Sequence, residues 1–419
     1  MNFKTLPFFL LVLIVSHGQV KVQSLKIQGN NRTKSSLIRS LSKLKEGATL
    51  DSLVIEADIA RLIRLPSVSH AYYQVNETDS EDGFTVVYGI EENFTLIPFA
   101  NIFTSNDDEF AFRVGLQEFN FLGQNITLGA FYQYDVFGSL GLNVRAPYLF
   151  SNQWGVALNY QDLTTLEPVF LESGTADYRY NNTSVEALGL FELNFKNRFE
   201  LGLNIFTEDY EYISGAIDTA VPQALVVDKF LYKFLYNYDG VNYFYHYLDG
   251  FRSNLNLQYV TSTSDELPDF WLGFNDFSFF KRVGRKGNWA SRLRIGLASN
   301  VDTPFAPFAV DNNLNIRGVG NIIDRGTGAV VLNTEYRYSL IEKDWFVLQT
   351  NVFVDGGSWR NPGGDFGDFA ETQNIRVYPG FGVRLIHKRI FNAIFRIDYG
   401  HGITQDAARG IVFGIGQYF

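Results

Sequence analysis

From Phe94 to the final residue, apolar and polar side chains alternate in short segments broken by turn residues. A period of two marks a β-strand with one face against apolar surroundings. Sixteen segments fit: 95–104, 109–119, 124–135, 139–146, 153–162, 186–195, 199–207, 228–237, 252–262, 273–282, 289–298, 329–340, 345–356, 376–387, 391–400 and 410–419. The pattern is faintest between residues 163 and 230. Segments of about ten residues, repeated this often, predict a transmembrane β-barrel of about 16 antiparallel strands.

The two faces separate lipid from lumen. In 329–340, Leu332, Tyr336, Tyr338 and Leu340 share one face, and Asn333, Glu335, Arg337 and Ser339 the other. In 345–356, Phe346, Leu348, Val352 and Val354 oppose Gln349, Asn351 and Asp355. Phe381, Val383 and Leu385 oppose Arg376 and Arg384; Phe391, Phe395 and Ile397 oppose Asn392, Arg396 and Asp398. A soluble sandwich also alternates. Charge confined to one face of many strands suits a lipid-facing exterior around a wet interior. Glu335, Asp355, Arg384, Arg396 and Asp398 are therefore expected to converge inside.

Before Phe94 the period differs. Residues 24–92 read as a small α/β module in the order β-α-α-β-β. Thr33 is placed to cap a helix carrying Leu37, Ile38, Leu41 and Leu44 on one face. Thr49 is placed to start a second, with Ile55, Ile59 and Leu62 at helical spacing, and Pro66 stops it. Two alternating strands follow around Asp82-Gly83. The expected domains are a signal peptide at 1–18, the module at 24–92 and the barrel at 93–419.

Composition narrows the function. A net charge of −10 argues against a nucleic-acid partner. The chain has no cysteine, so no disulfide frame, thiolate metal site or lipidated amino-terminal Cys. Lys4, the apolar run Leu6 to Val15, and small Ser16 and Gly18 form an export signal. That run is too short to cross ~30 Å of hydrocarbon. Hydrolase and phosphate-loop motifs are absent, and the histidines are scattered. Asn106-Asp107-Asp108-Glu109 reads as a solvated turn before it reads as a calcium site. No catalytic residue, metal or cofactor is expected.

One loop stands apart. Residues 300–328 are far more than a hairpin needs. Within them, Ile316-Arg317-Gly318 sets an arginine beside a glycine. If the loop enters the lumen, Arg317 can pair with Asp355, and also with Glu335, as a bidentate clasp. The alternative is a surface arginine in a flexible loop.

These residues resemble the Omp85 superfamily of barrel-assembly and two-partner-secretion transporters. The blocks at 25–47 and 55–75 resemble one POTRA domain, that family's periplasmic module. Ile316-Arg317-Gly318 is similar to its loop motif, Phe353-Val354-Asp355-Gly356-Gly357 to the partner strand, and Asn120-Phe121-Leu122-Gly123 to an early element. Arg396 to Gly400 and Gly414 to Phe419 resemble its last two strands. Val319 departs from the aromatic residue usual after the loop glycine, and one module is fewer than the main assembly factor carries.

The resemblance implies a small family member that inserts or translocates outer-membrane or secreted β-rich clients. It would sit in the outer membrane of a Gram-negative bacterium, module in the periplasm, with the bilayer and accessory assembly proteins as partners. A passive porin is the competing reading. Pro98 in the first barrel strand lacks a ladder donor, and Gly414 and Gly416 weaken the last, so the two are expected to form a lateral seam; the alternative is that Pro98 merely bends a normal strand. Phe413, Ile415 and Phe419 are expected on one lipid-facing side, as a carboxy-terminal targeting signal.

Overall fold

A computed structural model of the chain describes residues 21–78, 83–104, 110–171, 173–219, 221–264, 267–301, 306–310, 316–319, 324–391, 393–405 and 407–419. The expected signal peptide and the 106–109 turn lie outside the described residues.

The amino-terminal module comprises β1 (Lys21–Gln28), α1 (Ser35–Leu41), α2 (Ser52–Leu62), β2 (Val68–Glu77) and β3 (Gly83–Glu92). Its sheet has the order β1-β3-β2, which leaves β2 at an edge. Leu37, Ile38 and Leu41 of α1 and Ile55 and Leu62 of α2 are buried against Val86 and Tyr88 of β3. Buried Asp58 takes the amides of Lys43 and Leu44 at 2.7 and 3.0 Å and the Tyr88 hydroxyl at 3.0 Å, fixing the turn after α1 to both elements. The helix starts differ from expectation. Lys34 precedes α1 without a side-chain cap, while the Glu92 carboxylate takes the amides of Arg32 and Thr33. Asp51, not Thr49, caps α2 by accepting from the Leu53 amide at 2.8 Å. Glu92 thus fixes the loop that leads into α1, while Asp51 takes up a free amide at the start of α2.

The barrel opens with β4 (Leu96–Thr104), β5 (Phe110–Phe121), β6 (Ile126–Asp135) and β7 (Phe137–Ala146). The tall wall follows: β8 (Trp154–Leu171), β9 (Gly174–Asn194), β10 (Asn197–Gly215) and β11 (Ala224–Asp239). A three-residue spur, β12 (Asn242–Phe244), pairs with β13 (Tyr247–Ser262). Next come β14 (Phe270–Val283) and β15 (Gly287–Ala298). The long loop carries a small hairpin of β16 (Phe308–Val310) and β17 (Asp324–Gly326). The wall resumes with β18 (Gly328–Glu342), β19 (Phe346–Arg360), β20 (Ile375–His387), β21 (Ile394–His401) and β22 (Arg409–Ile415). The wall is a 16-strand antiparallel barrel in which β22 returns to β4.

Strand height is uneven. β8, β9 and β10 run to 18, 21 and 19 residues, while β4, β21 and β22 have 9, 8 and 7. About ten residues cross a bilayer, so the tall wall stands clear of the membrane opposite the short one. The alternation assigns faces as expected: Val352 and Val354 are exposed, while Asn351 and Asp355 are buried. Aromatic rings ladder across the outside near the module-facing end, as at Trp154–Phe191 (4.4 Å) and Phe199–Tyr236 (4.8 Å). Such rings form the interfacial girdle of a membrane barrel.

Two expectations about ends are corrected. Phe391 precedes β21 and packs edge-on against Phe119 at 4.7 Å, at the foot of the seam. The last strand stops at Ile415, because Gly416 takes a φ of +94° that turns the chain into the lumen. Phe419 therefore does not share the outward side of Phe413. It packs inside, against Val241, Phe280 and Ala290.

Candidate functional site: the clasped loop

Arg317 is fully buried in the lumen. Its Nε donates to Asp355 Oδ2 at 2.7 Å and its Nη2 to Asp355 Oδ1 at 2.9 Å. Its own backbone amide adds a third bond, to Oδ2 at 3.0 Å. The remaining Nη1 donates to Glu335 Oε2 at 2.6 Å. The guanidinium carbon lies 3.7 Å from the Phe353 ring centroid and 4.6 Å from that of Tyr418. A planar fork that stacks on rings while holding a carboxylate is a task lysine cannot perform.

Glu335 is the hub on the facing strand. Arg384 grips it with two bonds, at 3.0 and 2.8 Å, and Arg337 donates to it from the same strand. Asn351 bridges Glu335 and Asp398 at 3.3 and 3.2 Å, and Arg396 closes on Asp398 at 3.2 Å. Register places these groups together: Asn333 lies opposite Asp355 across β18–β19, and Arg384 opposite Arg396 across β20–β21. Isolated buried charges would be very costly, and here each carboxylate meets at least one arginine.

The loop tip also needs close approach. Gly318 has a φ of +98°, and a side chain on it would lie 2.6 Å from the Gly400 Cα. Gly400 faces Gly410 across β21–β22, so the tip lies on a bare backbone platform on the last two strands. Ile316 and Val319 are fully buried in a cluster with Val310, Val331, Trp359 and Tyr378. Val319, where a ring was expected, thus completes an aliphatic contact, and the rings around Arg317 come from Phe353 and Tyr418. Further out, Arg325 reaches Glu167 of β8 at 2.5 Å, tying the loop to the tall wall.

The candidate seam residues fall in different settings. Pro98 sits in β4 opposite Leu116 of β5. Gly414 faces Arg396 in β21, and a side chain there would meet that guanidinium at 2.5 Å. Gly416 lies beyond the strand. Phe413 points outward, Ile415 ends β22, and Phe419 is inside beneath Arg337. Sequence reasoning did not place Tyr418 or Phe353 at the clasp. Phe353 was legible, because it shares parity with Asn351 and Asp355. Tyr418 was not, because its position depends on the inward turn at Gly416.

Comparison with known proteins agrees with this architecture. Residues 20–93 match the family model for POTRA, described as the surface antigen variable number repeat. The fold is similar to BamA from Haemophilus ducreyi lacking POTRA domains 1–3, with TM-score 0.53 and 17% identity over 94% of this chain and 83% of that one. It is similar to CdiB from Escherichia coli, with TM-score 0.62 and 12% identity over 94% and 76%. CdiB from Acinetobacter baumannii gives TM-score 0.61 and 12% identity over 95% and 74%. The chain shares with these BamA and CdiB structures one architecture, a POTRA-like module followed by a sixteen-stranded barrel.

Proposed function

We propose that the chain serves in the outer membrane of a Gram-negative bacterium as an assembly or translocation factor for β-rich clients, with its module in the periplasm. The observation that carries this reading is the loop tip clasped inside the lumen by Arg317, Asp355 and Glu335. A passive porin needs an open water path, and the loop tip at Ile316 to Val319, buried inside the barrel, takes up part of that space. The module adds a second argument. Its edge strand β2 exposes Tyr72, Tyr73 and Val75, and an extended client segment can add to such an edge by backbone pairing.

The seam supplies the third. β4 and β22 are among the shortest staves, and Pro98 cannot donate to a ladder. Below them, the Phe94 amide donates to Arg389 O at 3.0 Å and the Phe391 amide to Phe94 O at 3.1 Å. The foot is thus closed by the β20–β21 turn, not by the last strand. Such a seam can part and offer two strand edges to a client. Export of a secreted chain through the lumen is the second reading, and it requires the clasped loop to leave. The bilayer and accessory assembly proteins are the remaining partners. Depletion followed by a census of outer-membrane and secreted proteins tests the proposal. Selective loss of β-barrel proteins from the membrane fits insertion, loss of a secreted protein alone fits export, and an unchanged census overturns both.

A further inference from the structure

Most turns at the module-facing end of the barrel are short: Phe195-Lys196 links β9 to β10, and Gly284 to Lys286 link β14 to β15. The segment from Gly240 to Leu248 is different. It folds inward beneath the lumen and reaches the wall three strands away. Val241 is fully buried against Phe280 of β14 and Ala290 of β15, both lumen-facing. The Leu248 amide donates to Asn288 Oδ1 at 2.8 Å, and Asn288 Nδ2 returns a bond to Leu248 O at 2.9 Å. His246 Nε2 lies 3.1 Å from Ser339 Oγ on β18. The Tyr247 hydroxyl donates to Glu342 at 3.3 Å.

The other side of the same segment is gripped by the module. Arg64, just after α2, donates from Nη2 to Val241 O at 2.7 Å and to Asp239 O at 3.4 Å. Its guanidinium lies over the rings of Phe195 at 4.8 Å and Tyr243 at 5.4 Å. His70 of β2 stacks on Tyr245 at 5.2 Å.

We infer that Gly240 to Leu248 is a plug closing the module-facing mouth of the lumen, and that the module is its latch through Arg64. The plug touches Phe419, which lies under Arg337 of the Glu335 hub, so plug, carboxy-terminal tail and clasped loop are stacked through the lumen. When the module swings aside, the carbonyls of residues 239 and 241 lose their donor and the plug can drop. This goes beyond the proposed function and does not depend on any client.

The absence of native cysteine makes the test direct. A single cysteine is placed at Ala290, under the plug, in the full chain in vesicles, and its labelling by a membrane-impermeant maleimide is timed. Arg64→Ala should speed labelling roughly tenfold, as expected for losing a pair of hydrogen bonds. Arg64→Lys, which keeps charge but not the fork, should give an intermediate rate and serves if the alanine variant does not fold. A cysteine at Ala329, beside the clasped loop, should stay protected in both variants. Unchanged labelling at residue 290 overturns the inference. So does a parallel rise at residue 329, which would mean the barrel has loosened as a whole.

Discussion

Asp355 receives three hydrogen bonds from the single residue Arg317, two from its guanidinium and one from its backbone amide. The same carboxylate thus fixes both the side chain and the backbone at the loop tip. A long loop would otherwise lose little by wandering, since chain entropy favours disorder. The clasp holds it against Gly400 and beside Tyr418. Removing Arg317 leaves Asp355 buried without its main partner, while Glu335 keeps Arg384 and Arg337. Breaking a buried pair costs about 3–5 kcal/mol. Arg317→Ala should lower the thermal midpoint and open the 299–327 loop to protease. Arg317→Lys should recover only a minor part. Equal protease resistance in all three proteins would contradict the clasp.

Gly400→Val tests the platform separately from the charges. A side chain there would meet the Arg317 carbonyl at 2.2 Å. The loop tip must lift although every ionic group remains. Overpacking of this kind costs about 1–3 kcal/mol. Protease sensitivity of the loop should approach that of Arg317→Ala. Gly189→Val, in β9 with only an ordinary contact around it, controls for the effect of adding valine. A resistant Gly400→Val protein would mean the tip does not rest on β21.

His246 makes the plug sensitive to acid. Burial pushes its imidazole down to about 4; Glu342 opposes that fall, while Lys388 and Arg282 reinforce it. An unfolded histidine titrates near ~6.5. The folded value is the lower one, so protonation favours release. The stabilisation is whole above the unfolded value and is lost as pH falls from there towards the folded one. The protection factors of the Tyr245 to Leu248 amides, taken relative to intrinsic exchange at each pH, should fall between neutral pH and pH about 5. His246→Phe should flatten that dependence. Identical profiles for both proteins would remove His246 as the cause.

One buried ion pair stands among the contacts that dock the module on the barrel. Arg61 of α2 donates to Glu192 of β9 at 2.7 Å and also to the Leu41 and Asn152 carbonyls. Glu192 also takes the Tyr148 hydroxyl and Arg198. A double-mutant cycle of Arg61→Ala and Glu192→Gln should give a coupling of about 1–3 kcal/mol in denaturant unfolding. Additive effects would mean that the module is held by its other contacts alone.

Much of this was legible in the chain. Sixteen alternating segments predicted sixteen staves, because lipid outside and water inside impose a period of two on every one. The approach of Arg317 to Asp355 was one of two readings the sequence left open: alternation put carboxylates on the lumen face, but a solvent-exposed arginine suited so long a loop as well. What escaped detection depends on single backbone angles or on contacts distant in sequence. The inward turn at Gly416 ended the last strand early and moved Phe419 from lipid to lumen. The plug at Gly240 to Leu248 reads as an ordinary turn until Arg64 is seen beside it. The tall wall was faint because its upper half leaves the membrane, where the alternation is no longer enforced.

The central claim is tested most directly at the seam. One cysteine is placed in β4 and one in β22, and the protein is reconstituted in vesicles with an unfolded β-barrel client. Client insertion, read as protease-resistant client, is compared in oxidised and reduced samples. The account predicts that the reduced protein speeds insertion and the disulfide-locked protein does not. Insertion at full rate with the seam locked, or no gain over empty vesicles, would contradict it.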